Sequence, residues 1–186
     1  MKPAVCFATS NDGKFNEAVD ILKPYGIVVK RLPAKGTEIQ SERVTDIAVR
    51  AAAETYSLEK KPIIAEDTGL YVHKLDGFPG PYAAYALKTI GPDGLLRLLK
   101  GKKRGAHFET SLAYVDGSSI IEFTGTLEGT ISSKQRGSNG FGYDPIFVPS
   151  GYRMTLAEMT REEKNKVSHR SQAFTAFGRW YAKRIP

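Results

Sequence analysis

The chain has a single cysteine, Cys6, and no apolar run near the ~20 residues that a membrane span needs. One cysteine excludes an intrachain disulfide and a cysteine metal cluster. The N-terminal apolar run "AVCFA" is too short for a signal peptide, and the sequence has neither an internal repeat nor a low-complexity linker. We therefore expect a cytoplasmic globular protein whose 186 residues form one domain, 1–186, or one domain with two lobes.

Acidic residues are fewer than basic ones, with 20 Asp+Glu against 27 Lys+Arg, which gives a formal net charge of +7. This excess favours an anionic partner without identifying it. The densest basic segment, "KGKKR" at 100–104, has no interleaved aromatic residues. It is therefore predicted to be a solvated turn rather than a nucleic-acid contact.

Strand and helix patterns alternate along the first half of the chain. Strands are predicted at 4–8, 27–32, 62–67, 106–115, 119–131 and near 145–148, and helices at 14–25, 45–59, 92–101, after 160 and after 168. Asp116-Gly117 is a strong hairpin signal between two of these strands. The order predicts an α/β protein with a mixed sheet, parallel early and antiparallel late. Ligands in such folds bind beyond the carboxyl ends of strands, which directs attention to the loops after the first and third strands.

The loop "ATSNDGK" at 8–14 leads from the first strand directly into a helix. Lys14 adds a positive charge where the exposed N–H groups of a helix already favour anions. The loop is not a Walker sequence, because Ala8 replaces the first glycine and Phe15 follows the lysine. A phosphate cradle and a simple Asn/Asp cap with a tight turn both remain possible.

Acidic residues end the third predicted strand, where Glu66 and Asp67 precede a Thr-Gly turn, and Glu38 follows the second strand. Two carboxylates beside a phosphate site would repel the ligand unless a cation lies between them. Oxygen-only ligation with a phosphate partner is typical of Mg²⁺, which also helps to form hydroxide from bound water. Taken alone, a strand-end Glu-Asp pair is also typical of a solvated loop.

The segment "SNGFGYDPIFVPSG" at 138–151 places Phe141 and Tyr143 among glycines and follows them with Asp144 and Pro145. Glycine loosens a backbone, whereas proline and packed rings stiffen it. The pattern predicts a platform on which a flat ligand stacks, with a polar group at its edge. A core aromatic beside a turn is the alternative interpretation.

Together these motifs resemble the inosine triphosphate pyrophosphatase family, also called the Ham1 family. The resemblance is collinear over nearly the whole chain and rests on "TSNDGK" (9–14), "EDTGL" (66–70), "GFPGPYAAY" (77–85), "GFGYDPIF" (140–147) and "SHR" (168–170). It implies an elongated, two-lobed α/β fold with a central mixed β-sheet and a deep active-site cleft. It also implies a homodimer and Mg²⁺-dependent conversion of a nucleoside triphosphate to the monophosphate and pyrophosphate.

The resemblance further implies a role for each matching residue. Asp67 would be the proton acceptor and a metal ligand, and Glu38 would be the other metal ligand. The triphosphate would be held by the first loop (Thr9, Ser10, Asn11, Asp12, Gly13, Lys14), and Thr68 would contact the substrate. The base would be held by the glycine-rich loop (Phe141, Gly142, Tyr143, Asp144). Lys164 would bind the phosphate or sugar side, and His169 and Arg170 would bind the base edge. Tyr143 stands where some members have tryptophan, and either ring can stack. His73 and His107 lie outside these motifs and are predicted to be structural.

The leading functional hypothesis is an enzyme that removes deaminated purine triphosphates such as ITP, dITP and XTP from the nucleotide pool. One alternative is the related Maf-type pyrophosphatase, which prefers other modified nucleotides. The other is a non-catalytic nucleic-acid-binding module, whose phosphate contacts would be base-blind and would leave the acids without a role. The leading hypothesis requires neither a nucleic acid nor a membrane as partner. The missing Walker sequence excludes a P-loop kinase.

Overall fold

The computed structural model describes residues 4–33 and 39–184. Within these ranges the protein has seven β-strands and six α-helices joined by turns and short 3-10 segments. Their order is β1 (Ala4–Ala8), α1 (Asp12–Leu22), β2 (Val28–Leu32), α2 (Val44–Glu59), β3 (Ile63–Val72), β4 (Pro79–Gly80), α3 (Ala83–Thr89), α4 (Gly91–Leu98), β5 (Gly105–Val115), β6 (Ile120–Ile131), β7 (Phe147–Pro149), α5 (Arg161–Val167) and α6 (His169–Ala182).

All seven strands belong to one mixed sheet with the order β2-β1-β3-β5-β6-β7, and the short β4 pairs with β3. β1 is parallel to both β2 and β3, and the intervening helices α1 and α2 provide the long crossovers that parallel pairing requires. β6 is antiparallel to β7, and β4 is antiparallel to β3. The predicted mixed sheet, parallel early and antiparallel late, is therefore confirmed.

The chain divides into two compact units. Unit 1 comprises the described residues up to Asp67, together with Thr110–Gly125 and the described residues from His169 onward. Unit 2 comprises Thr68–Glu109 and Thr126–Ser168. Unit 1 contains two apolar clusters and unit 2 contains one, so each unit has its own core. The predicted cleft and the single-domain boundaries stay predictions.

Helices α1 and α6 contribute apolar side chains to the core of unit 1. In α1, Ala18, Ile21 and Leu22 are buried at the i, i+3 and i+4 spacing that places side chains on one helix face. The sequence places Phe174, Phe177 and Tyr181 on one apolar stripe, which predicts core residues, and all three are buried in α6.

The third strand is longer than predicted. β3 continues to Val72, so Glu66 and Asp67 lie within the strand and the turn predicted at Thr68-Gly69 is wrong. Leu70 and Val72 are fully buried in the unit 2 core, and their burial stabilises the extended backbone. The glycine here serves packing, because a Cβ at position 69 would lie 2.6 Å from the Tyr71 ring.

The predicted hairpin is confirmed, since β5 and β6 are neighbours joined by a turn at Asp116. Asp116 Oδ1 accepts backbone N–H groups from Ser118 at 3.0 Å and Ser119 at 2.9 Å. Burial acts to raise the pKa of Asp116, but the hydrogen bonds from these serines outweigh it and lower the pKa to about 2. A carboxylate with a depressed pKa stabilises the fold above its unfolded pKa, and this contribution disappears as the pH falls toward 2.

We expect Asp116→Asn to lower the free energy of unfolding by about 1 kcal/mol at pH 7, because neutral acceptors form weaker hydrogen bonds than charged ones. The difference from the wild type should shrink between pH 4 and pH 2, where Asp116 itself becomes neutral. Urea denaturation at several pH values measures it, with Glu122→Gln, an exposed change in β6, as the control. A difference that is constant down to pH 2 would contradict the role given to the charge.

Candidate active site

The predicted phosphate loop lies between β1 and the start of α1. Asn11 is the N-cap of α1, and its Oδ1 accepts the backbone N–H of Lys14 at 3.0 Å. Thr9 is buried, and its Oγ1 accepts the backbone N–H of Asn11. The Arg31 guanidinium donates to the carbonyl oxygen of Thr9 and to the Asp12 carboxylate. Ser10 and Asp12 are exposed, and Gly13 is half-buried. The loop is therefore a well-braced helix cap that presents an exposed helix N-terminus, and its phosphate role stays a prediction.

Glu66 connects this loop to the central sheet. Its side chain has no exposed surface, and Oε1 lies 3.1 Å from Lys14 Nζ and 3.2 Å from Arg170 Nε. The Lys14 side chain is one-fifth exposed, so its ammonium group is partly accessible while it is held by Glu66. Glu66 thereby fixes the position of the lysine that the sequence assigns to the triphosphate.

Arg170 is held between two buried carboxylates. Its Nη1 donates to Glu17 Oε2 at 2.7 Å, in addition to the Nε contact with Glu66. Burial acts to lower the pKa of the Arg170 guanidinium, but the charges of Glu66 and Glu17 outweigh it and raise the pKa. Lys14, Glu17, Glu66 and Arg170 form a set of two positive and two negative groups, which we call the buried ion network.

The buried ion network bears on the role predicted for Arg170. Arg170 was predicted to contact the base edge, but two of its nitrogen atoms donate to Glu66 and Glu17 in this structure. The base-edge role therefore stays a prediction. Sequence reasoning did not identify Glu17, and the available signal was an acid three residues after Lys14 on the first turns of one helix.

His169 begins α6 and is almost fully buried. Its Nδ1 lies 2.6 Å from the Oγ1 of Thr110, a fully buried residue of β5 that sequence reasoning did not single out. This contact fixes the orientation of the imidazole ring. The role predicted for His169 at the base edge stays a prediction.

Asp67 is the one residue of the two predicted magnesium ligands that lies within the described ranges, and its metal role stays a prediction. Adjacent strand residues point to opposite faces, so we expect Asp67 to face away from Glu66. Mg²⁺ binds through oxygen atoms, typically one or two carboxylates together with substrate phosphates, and the oxygens of Asp67 fit this chemistry. Thr68 follows it in β3 and is half-buried. Glu38, the other predicted metal ligand, lies outside the described residues.

The glycine-rich loop of unit 2 is organised around Asp144. Its Oδ2 accepts the backbone N–H of Phe141 at 2.8 Å and lies 2.5 Å from Lys164 Nζ, and both side chains of this ion pair are buried. Lys164 Nζ also lies 4.7 Å from the centroid of the Phe141 ring. Gly140 has φ of +74°, and a Cβ there would lie 2.1 Å from Asp144 Oδ2, so this turn requires glycine.

The two aromatic residues of the loop have different environments. Tyr143 is 4% exposed within the unit 2 core, its hydroxyl donates to the Ala83 carbonyl at 3.3 Å, and burial raises its pKa to about 12. Phe141 is half-buried, and Gly142 between them is similarly accessible. Phe141 is therefore partly exposed, whereas the Tyr143 ring packs as a core residue, and the stacking role predicted for this loop stays a prediction.

The chain has an α/β sheet and a lysine near a helix N-terminus, two features typical of the class of proteins that bind phosphorylated ligands. The sequence profile of the Ham1 family matches residues 5–180. The chain therefore belongs to the Ham1 family, which confirms the resemblance found in its motifs.

Individual relatives cover nearly all of the chain. The dITP/XTP pyrophosphatase of Methanopyrus kandleri is 44% identical over 183 residues, with 97% of each chain covered. That of Thermococcus kodakarensis is 46% identical over 177 residues, covering 95% of this chain and 96% of its own. A HAM1 protein from Coxiella burnetii superposes with a TM-score of 0.86 at 26% identity, covering 97% of this chain and 99% of its own. The Staphylococcus aureus Ham1 protein gives 0.84 at 28% identity, with the same coverage.

Proposed function

We propose that the protein hydrolyses deaminated purine nucleoside triphosphates (ITP, dITP and XTP) to the monophosphate and pyrophosphate. The observation that carries this proposal is the 44–46% identity, over nearly the full length, to relatives named dITP/XTP pyrophosphatase. The protein is thus a hydrolase of phosphoric anhydrides in nucleotide metabolism. Membership in the Ham1 family favours this reaction over the Maf-type and nucleic-acid-binding alternatives.

The triphosphate is assigned to the start of α1. Backbone N–H groups and the positive end of the helix dipole stabilise anions at such a position. Lys14 adds a full positive charge there, and its ion pair with buried Glu66 holds the ammonium group in place before the substrate arrives. Pre-organisation of this kind reduces the side-chain entropy that is lost on binding.

Asp67 is assigned as the proton acceptor for the attacking water. Breaking the anhydride bond between the α- and β-phosphorus atoms consumes one water molecule and yields the monophosphate and pyrophosphate. Mg²⁺, held by Asp67 and Glu38, would neutralise the phosphate charge and favour hydroxide formation when it is bound. Glu66 is not assigned to the metal, because its Oε1 is already held by Lys14 and Arg170.

The purine is assigned to the Phe141 loop. Stacking on an aromatic ring is worth roughly 1–3 kcal/mol per base. Lys164 is reassigned from the phosphate or sugar side to this set, because its ammonium group contacts Asp144 and the Phe141 ring. An ammonium group only donates hydrogen bonds, so it would donate to the C6 oxygen of hypoxanthine or xanthine and oppose the amino group of adenine.

A panel of ITP, XTP, GTP and ATP with Mg²⁺ tests the proposal, with phosphorus NMR to identify the products. We expect pyrophosphate, and rates in the order ITP and XTP, then GTP, then ATP. One or two unsatisfied buried donors cost roughly 1–3 kcal/mol each, so kcat/KM should fall about 100-fold or more from ITP to ATP. Orthophosphate with a nucleoside diphosphate would exclude the proposed reaction. Equal rates on ATP and ITP would exclude the base selectivity.

Three further properties rest on the family resemblance alone and are part of the proposal: Mg²⁺ as the physiological metal, a homodimeric assembly and a cytoplasmic location. In residues 4–33 and 39–184, no helix is both long enough and apolar enough to span a membrane.

Lys14→Ala is expected to raise KM for ITP about tenfold or more while changing kcat less, if the lysine contacts ground and transition states equally. Steady-state kinetics measures both constants. Lys30→Ala, which removes an exposed lysine from β2, is the matched control and should behave as the wild type. A collapse of kcat at unchanged KM would instead assign Lys14 to charge that develops during P–O cleavage.

A further inference from the structure

A cluster of possible metal ligands in unit 2 contains none of the residues assigned to the nucleotide. His73 begins the 3-10 turn after β3, His107 lies near the start of β5, and Glu128 lies in β6. One ligand atom from each of the three side chains lies within 4.8 Å of the other two. His73 and Glu128 are exposed and His107 is half-buried, so solvent ions can reach the cluster.

The spacing of the two imidazole rings fits shared coordination of one metal ion as well as a long hydrogen bond. His73 Nε2 and His107 Nδ1 are 3.4 Å apart, beyond the usual 2.7–3.2 Å range for a hydrogen bond donated by nitrogen. Two ligands that bind one zinc ion tetrahedrally at 2.0–2.1 Å are separated by roughly 3.3–3.4 Å. The facing nitrogen atoms are therefore already at the distance that a tetrahedral ion imposes.

Neighbouring residues constrain both rings in this arrangement. The Tyr71 ring stacks on His107 with centroids 4.9 Å apart and an interplanar angle of 7°, which fixes the plane of the imidazole. Gly105 leaves space for the other ring, because a Cβ there would lie 2.9 Å from His73 Nδ1. Constraint of the ligand rings reduces the entropy lost when a metal binds.

We propose that His73, His107 and Glu128 form a Zn²⁺ site, with water completing a four-coordinate shell. Two imidazoles and one carboxylate are a ligand set that zinc uses, whereas Mg²⁺ prefers oxygen ligands throughout. This site is independent of the proposed hydrolysis and of its Mg²⁺ requirement. A bound ion would tie the turn after β3 to β5 and β6, and it would stabilise the fold in proportion to its binding free energy.

The test is a calorimetric titration of ZnCl₂ into protein that carries no polyhistidine tag and has been stripped with EDTA. We expect one zinc ion per chain. Loss of one ligand through His73→Ala or Glu128→Gln should weaken binding about tenfold or more, since even outer-shell changes at metal sites have effects of this size. Glu122→Gln, an exposed carboxylate change in the same strand, is the matched control and should bind zinc as the wild type does.

Two further measurements make the result decisive. Circular dichroism and ITP hydrolysis with Mg²⁺ should be unchanged in His73→Ala, which separates loss of zinc from loss of fold or of nucleotide chemistry. Co²⁺ in place of Zn²⁺ should give the intense visible absorption of four-coordinate cobalt, and His107→Ala should abolish it. The proposal is overturned if no stoichiometric zinc binding is found, or if binding survives both His73→Ala and Glu128→Gln unchanged.

Discussion

Asp67→Asn is expected to lower kcat for ITP by about 10²–10⁴-fold while leaving the fold intact, because loss of a general base typically has effects of this size. Asparagine has nearly the same shape as aspartate, so the packing of β3 should not change. It cannot take a proton from water, and it is a weaker ligand for Mg²⁺ than a carboxylate. Glu109→Gln, a half-buried carboxylate change in the neighbouring strand β5, is the matched control.

A magnesium titration separates the two roles that we assign to Asp67. If asparagine mainly weakens metal binding, activity should recover as Mg²⁺ is raised to saturation. If the proton acceptor is lost, kcat stays low at every Mg²⁺ concentration, which is the result we expect. A variant that keeps more than about a tenth of the wild-type kcat would assign the base to another group.

The sequence predicted the parts of the fold that depend on local patterns. The apolar stripe of α6, the hairpin at Asp116 and the order of the early strands follow from residue spacing and turn chemistry, and all are present. The turn predicted at Thr68-Gly69 was wrong because glycine after threonine is typical of a turn, whereas here both residues belong to β3. The local pattern contains no signal for the packing of Tyr71 over this glycine. It also contains none for the burial of Leu70 and Val72, which stabilises the continuation of the strand.

In the candidate site, too, local patterns identified residues but not their partners from distant parts of the chain. Phe141 and Tyr143 have almost identical local surroundings in the sequence, but Tyr143 bonds a residue 60 positions away and lies in the core. Lys164 follows Asp144 by 20 positions, and the local pattern gave no indication of the ion pair between them. Glu17 and Arg170 are separated by 153 positions. A spacing pattern cannot identify such partners, because only the folded chain brings them together.

Arg170→Met is expected to lower the free energy of unfolding by about 3–5 kcal/mol, the usual result of removing one partner from a buried ion pair. Methionine fills much of the same volume, so the loss would come from charge rather than from a cavity. Glu17 would be left buried without its guanidinium partner, whereas Glu66 would still contact Lys14. Arg50→Met removes an exposed i,i+4 ion pair with Glu54 and should have an effect of at most about 1 kcal/mol.

A double-mutant cycle shows whether the charge of Glu17 is responsible. The double variant Glu17→Met, Arg170→Met removes the buried carboxylate together with its guanidinium partner, so it should be more stable than Arg170→Met alone, by about 1–3 kcal/mol. Urea denaturation of the four proteins gives the coupling, and ITP kinetics on the double variant shows whether Lys14 is still positioned. If Arg170→Met proves no more destabilising than Arg50→Met, or if the two changes at Glu17 and Arg170 are simply additive, the buried ion network does not stabilise the fold as we infer.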